Sequence, residues 1–225
     1  MSKIIVALDL ERKEAIELAK RLDPNLCKIK VGSELFTSSG PKIIEDLKKI
    51  GFDIFLDLKF HDIPNTVASA VREASNLGVW MLNIHTSGGK QMMMSAVESL
   101  NQAMKPILIG VTVLTSIGKE EAENIGMNRI EDHALSLAKL AKESGLDGIV
   151  CSPKEVKKIK EICGRNFIAV TPGIRLLNDS GDDQNRISSP REAIMNGSDF
   201  LVIGRPITRS PNPLKSLDSI INGLI

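Results

Sequence analysis

DIFLDLKFHDIPNT, residues 53–66, is the stretch whose reading decides the fold. Side chains alternate along a strand with period two, so Ile54, Leu56, Leu58 and Phe60 share one face. Asp57 and Lys59 then share the other face and point together into whatever the strand encloses. The strand itself reads as buried. Burying charge is costly, and even a paired charge rarely stabilises more than packed hydrocarbon. A chain that keeps Asp57, Lys59 and, three residues on, Asp62 at a strand end is expected to use them. The competing reading is a structural ion pair closing the strand.

Outward from this segment the apolar period switches repeatedly between short and long. Strand-like runs fall at 3–10, 27–32, 53–60, 80–86, 106–114, 148–152, 167–173 and 200–205. Helix-like stretches lie between or after them at 11–22, 40–50, 64–77, 89–103, 131–144, 153–163, 189–196 and 213–222. Pro41, Pro64, Pro153 and Pro190 stand near first turns, and Gly51, Gly78, Gly145, Gly164 and Gly197 near ends. Eight strands, each followed by a helix, predict a parallel sheet, and the count of eight predicts a closed (β/α)8 TIM barrel. A doubly wound open sheet satisfies the same periodicity. No Pro/Gly/Ser-rich linker divides the sequence, so residues 1–225 are expected to form a single catalytic domain.

Composition narrows the function classes. The chain is 42% hydrophobic and 25% charged with a net charge of +1, and it has no basic block or acidic tail. Neither nucleic acid nor a membrane surface is therefore the expected partner. No apolar run approaches the ~18 residues of a membrane span, and the expected location is cytoplasmic. Cys27, Cys151 and Cys163 have no metal-ligand spacing and read as reduced and structural. With one Trp and no Tyr, aromatic stacking is not a large part of recognition. No GxGxxG, Walker A, HExxH or EF-hand pattern is present, so neither a nucleotide cofactor nor a metal is expected.

In a barrel, reactive groups come from the C-terminal ends of strands and the loops after them. The polar residues of the strand runs gather there: Asp9, Lys30, Asp57 with Lys59, and His85 end strands 1 to 4. Thr115 and Ser116 follow strand 5, Pro172 and Arg175 strand 7, and Arg205 strand 8. Lys28 and Lys30 share an inward face, and Gly32 beyond them permits close approach by a ligand. Lys30, Asp57, Lys59 and Asp62 form an array of alternating charge that favours protonated lysines. A protonated Lys59 is a general acid, whereas a deprotonated one could form a Schiff base; the carboxylates tilt the choice toward proton donation. Gly173–Arg175, Gln184 and Gly204–Pro206 suit a phosphate at the ends of strands 7 and 8, with 174–189 as a closing loop. Thr115 and Ser116 could bond a planar amide-like group or serve as turn residues. Met92–Met94 read as helix packing, and His85 as either a core or a supporting residue.

These residues resemble the orotidine 5′-phosphate decarboxylase family over nearly the whole chain, from ALDL at 7–10 to VIGRPIT at 202–208. The most specific element is Asp57-x-Lys59-x-x-Asp62-Ile63-Pro64-x-Thr66. It is joined by Lys30-Val31-Gly32, LTS at 114–116, TPGIR at 171–175, Gln184 near Arg186, and GRPIT at 204–208. The resemblance implies decarboxylation of orotidine 5′-phosphate to UMP in de novo pyrimidine biosynthesis, with no cofactor and no metal. It implies a homodimer in which Asp62 and Thr66 complete the neighbouring site. By the same matching Asp9 and Lys30 hold the ribose hydroxyls, and Ser116 meets the pyrimidine. Arg175, Gln184 and Arg205 hold the phosphate, and Ile63, Pro172 and Gly204 are further substrate contacts. Asp57 stands by the substrate carboxylate, and Lys59 protonates C6. A Mg2+-dependent ketogulonate-phosphate decarboxylase or hexulose-phosphate synthase is the nearest alternative, and a non-catalytic phosphate-ligand sensor a more distant one.

Overall fold

The computed structural model describes residues 2–100, 105–174 and 188–224. Eight parallel strands run in order: β1 (Ile4–Ala7), β2 (Lys28–Gly32), β3 (Ile54–Phe60), β4 (Met81–His85), β5 (Ile107–Val111), β6 (Gly148–Val150), β7 (Ile168–Thr171) and β8 (Phe200–Ile203). Each pairs with the next, and β1 pairs with β8 as well, Ile5 facing Val202. That last pairing closes the sheet and removes the open-sheet alternative. The fold is a single (β/α)8 barrel.

Alternation along the strands divides the core into two layers. Ile5, Phe55, Met81, Ile109 and Val170 fill the interior with Trp80, Val150, Phe200 and Val202 packed against them. The opposite faces, among them Ile4, Val6, Ile29, Val31, Ile54 and Leu56, are buried under the helices. Strands buried on both faces explain the near-continuous apolar runs of the sequence. Each Leu, Ile or Val enclosed in this way contributes ~1.5–3 kcal/mol of transfer free energy. The three cysteines are free and buried, and burial pushes the Cys27 thiol up to about 12.

The helices are α1 (Arg12–Arg21), α2 (Ser33–Ser39), α3 (Lys42–Ile50), α4 (Pro64–Asn76), α5 (Gly89–Glu98), α6 (Lys119–Asn124), α7 (Ile130–Glu143), α8 (Val156–Cys163), α9 (Pro190–Met195), α10 (Arg205–Thr208) and α11 (Pro213–Asn222). Punctuation matches the sequence reading: Pro64 and Pro190 stand in the first turns of α4 and α9, and Gly51 ends α3 at φ 111°. Met92 and Met93 are buried on α5. Three short helices, α2, α6 and α10, were not expected. Each buries only one side chain (Leu35, Ala122 and Ile207), so none shows an apolar period. Several strands are shorter than their apolar runs; the run 106–114 contains only Ile107–Val111 as strand. Among the described residues, no helix is long and apolar enough to cross a membrane.

Candidate active site

A cavity of about 480 Å³ opens at the C-terminal ends of the strands. Its wall carries Ala7, Asp9, Lys30, Asp57 and Lys59 on the side of β1 to β3, and Thr115, Pro172, Gly204 and Arg205 on the side of β5 to β8. Two of the charged groups are almost wholly enclosed: Lys30 is 8% exposed and Asp57 7%.

Lys30 Nζ lies 2.9 Å from Asp9 Oδ1 and 3.3 Å from Asp57 Oδ2. The other oxygen of Asp57, Oδ1, lies 2.7 Å from Lys59 Nζ. One carboxylate thus bridges two ammonium groups, supplying counter-charge to the enclosed Lys30 and to the part-exposed Lys59. Burial alone would push the Lys30 ammonium down, but Asp57 and Asp9 more than offset it and hold its pKa above the ordinary lysine value. Lys30 is therefore a fixed cation at neutral pH. Gly32 serves this arrangement: a Cβ there would stand 2.8 Å from Lys30 Nζ and 3.2 Å from Asp9 Oδ1. The room expected for a ligand is occupied by the protein's own Lys30–Asp9 pair.

Lys59 reaches Asp57 by a less regular route than alternation predicts. Leu56 faces Leu82 on β4, but Phe60 faces Ile84, so four positions on β3 are spanned by two on β4. Within this bulge Lys59 adopts φ 51°, and it is the only described non-glycine residue in the left-handed region. Such a backbone costs on the order of 1–2 kcal/mol for a residue with a Cβ. It is held by a residue that the sequence reading passed over. Asn83, fully buried on β4, accepts the Lys59 backbone N–H at Oδ1 (2.8 Å). Its Nδ2 donates to Asp57 Oδ1 (2.6 Å). The available signal was a lone carboxamide within the apolar run MLNIH.

His85 ends β4, half-buried, with its ring centroid 5.3 Å from that of His61. Burial, then His61 and Lys59, lower its pKa below the ordinary histidine value, and Asp57 opposes them. It is a neutral imidazole beside the array.

Of the expected site residues, Asp9, Lys30, Asp57, Lys59, Pro172, Gly204 and Arg205 meet at the one cavity. Asp62, Ile63 and Thr66 do not line it. Asp62 is exposed with Oδ1 accepting the Ile63 N–H (2.6 Å), Ile63 is 66% exposed, and Thr66 is exposed on the first turn of α4. Ser116 is likewise exposed beyond β5, and its neighbour Thr115 lines the cavity instead. Glu34, Thr208 and Arg209 line the cavity without having been expected. Arg175 and Gln184 lie outside the described residues. The chain on either side of that segment meets at the cavity rim, where Ser188 N–H donates to the Gly173 carbonyl (3.2 Å).

A protein named orotidine 5′-phosphate decarboxylase from Legionella pneumophila (strain Corby) is 53% identical over 226 residues, covering 99% of each chain. One of the same name from Laribacter hongkongensis is 51% identical, covering 100% of this chain and 93% of that one. The crystal structure of orotidine 5′-phosphate decarboxylase from Lactobacillus acidophilus superposes with a TM-score of 0.87 at 39% identity, covering 100% of this chain and 99% of that one. The family model described as Orotidine 5′-phosphate decarboxylase / HUMPS family matches residues 2–220. With that match across nearly its whole length, and an Asp–Lys array at the mouth of a closed barrel, this chain belongs to the orotidine 5′-phosphate decarboxylase / HUMPS family.

Proposed function

We propose that this protein decarboxylates orotidine 5′-phosphate to UMP in de novo pyrimidine synthesis, without a cofactor, and that Lys59 delivers the proton to C6. The observation that carries the reading is the shared carboxylate: Asp57 between Lys30 and Lys59 on the wall of the cavity. The full-length identity to decarboxylases of that name supports the substrate.

The chemistry asks for such a site. As the bond from C6 to the carboxylate breaks, CO2 leaves and the electron pair stays on C6, where no adjacent π-system takes it up. Without an electron sink, the transition state is stabilised by a cation held in place beforehand, and the pair is then quenched by a proton. The Lys59 ammonium supplies both, passing its proton to C6 and regaining one from solvent. Asp57, 2.7 Å from the Lys59 ammonium, aims it, and its own charge stands beside the substrate carboxylate.

Asp9 and Lys30 bond the ribose hydroxyls, and Ser116 with Thr115 faces the pyrimidine. Arg205 pairs with the phosphate together with Arg175 and Gln184, while Pro172 and Gly204 shape the wall. Asp62, Ile63 and Thr66, exposed and outside their own chain's cavity, complete the site of a second copy in a homodimer. A cytoplasmic enzyme of one domain, acting on a small molecule and on neither nucleic acid nor membrane, is part of the same reading.

Loss of orotidylate absorbance in the ultraviolet tests it directly. Turnover should persist after exhaustive chelation, and metal-dependent turnover would favour the sugar-phosphate branch. Mixing inactive Asp62→Ala and Lys59→Ala dimers should restore activity as subunits exchange. Verified exchange without recovery would return Asp62 to its own chain and remove the shared site.

A further inference from the structure

We infer that Asn83 is a positioning residue for the reaction: its carboxamide sets both the orientation of the Asp57 carboxylate and the left-handed backbone from which Lys59 acts. The inference rests on the reading that Lys59 is the proton donor.

The bond pattern leaves one orientation for the amide. Asp57 Oδ1 can only accept and the Lys59 backbone N–H can only donate, so Nδ2 must face the first and Oδ1 the second. Asn83 is fully buried, and a carboxamide stripped of water carries a large penalty unless both ends are bonded. Here both are. The site of the clamp is also specific. Between the Leu56–Leu82 and Phe60–Ile84 pairings the backbone ladder of β3 and β4 is interrupted. The Asn83 side chain takes the place of the missing strand partner for Lys59. One amide therefore couples the two halves of the reacting pair, Asp57 Oδ1 and Lys59 Nζ, which lie 2.7 Å apart.

The groups facing this amide are Asp57 and Lys59 on β3, Lys30 of β2 behind Asp57, and His85 on β4 with the His61 ring tilted against it. A leucine or alanine at 83 would fill part of the space but leave the Lys59 N–H without its acceptor. A carboxyl at 83 mimics the amide only when protonated, its O–H donating to Asp57 and its carbonyl accepting from Lys59. Ionised, it sets a second negative charge against Asp57.

The experiment pairs kinetics with an exchange measurement that needs no turnover. In Asn83→Ala, kcat for orotidylate should fall about 100-fold, the scale of an ångström-size displacement of a reacting group, while KM moves less than about threefold. Exchange of the Lys59 backbone amide with solvent should accelerate at least about tenfold. Asn83→Asp should be similarly slow at neutral pH and recover relative to wild type as the pH falls, a profile that a purely structural residue would not produce. Wild-type kcat in Asn83→Ala, unaltered Lys59 amide exchange, or an Asn83→Asp profile parallel to wild type would each overturn the inference. If Asn83→Ala does not fold, the Asn83→Asp profile decides alone. Absence of turnover in the wild type, with Lys59 amide exchange still accelerated in Asn83→Ala, would defeat the decarboxylase reading and leave the clamp standing.

Discussion

Lys28 and Lys30 stand two residues apart on β2, both buried, both directed into the barrel, and they meet different fates. At the N-terminal end Lys28 pairs with Asp53 and lies 4.3 Å from the centre of the Trp80 ring, which packs edge-on against Phe200. That ammonium is sealed between a carboxylate and an aromatic face. At the C-terminal end Lys30 shares Asp57 with Lys59 and borders open space. Burial of a lysine is common to both ends, so burial does not mark function. What differs at the mouth is a charge set facing a cavity, in which one carboxylate is shared between two ammonium groups.

The strongest way to break this contrast is to remove the cation at the mouth. Lys59→Ala should reduce kcat more than about 1,000-fold, some ~4 kcal/mol of barrier, with little change in melting temperature. A variant keeping more than about a tenth of the wild-type rate, under ~1.4 kcal/mol, would end the proton-donor assignment.

Next in size is the far wall of the same cavity. Arg205→Ala should weaken orotidylate far more than orotidine, by the ~2–5 kcal/mol that a desolvated charge-assisted bond supplies. Phosphite added with orotidine should activate wild type and the variant much less. Equal responses would mean that Arg205 does not anchor the phosphate.

The floor should behave oppositely. Lys28→Met should leave kcat within twofold, because nothing at that end borders the cavity. Losing a cation–π contact costs up to ~2 kcal/mol, while relief from burying the ammonium offsets part of it, so Tm should move by less than about 8 °C. A rate loss above tenfold would erase the distinction between the two ends.

The smallest effect concerns His85. Its folded pKa lies below the unfolded value of about 6.5, so the unfolded chain binds more protons in the window between the two. The stability linked to its neutral form is complete above pH ~6.5 and is lost as pH falls through the folded pKa. Tm of His85→Gln should therefore decline less steeply than wild type below pH ~6.5. Parallel melting curves would show that burial and His61 do not lower the His85 pKa.

The barrel was legible because strands covered on both faces read as apolar runs, and the helices between them carry proline and glycine at their ends. Most of the charge array was legible too, since Asp57 and Lys59 alternate with Leu56, Leu58 and Phe60 in a strand that is otherwise apolar. Asn83 was not, because a carboxamide in a strand has no meaning until the strand opposite is placed in register. Ile63 and Thr66 were assigned to a site only through the resemblance, and Asp62 through the charge array as well; in this chain all three are exposed and do not line the cavity. Their exposure is a property of tertiary position that period and composition do not encode. Gly32 was read as room for a ligand because the ammonium that fills that room belongs to a side chain two residues away.

The offset between β3 and β4 has a consequence for anyone grafting this chemistry. Writing Asp-x-Lys onto a strand of another eight-stranded scaffold would supply the letters without the geometry. The recipient would need two surplus residues against its neighbouring strand, a tolerated left-handed lysine and a carboxamide opposite to hold it. With Lys30 on the strand at the other side, the transferable unit is three adjacent strands, β2 to β4, rather than a motif, and libraries built on one strand alone should return inert barrels.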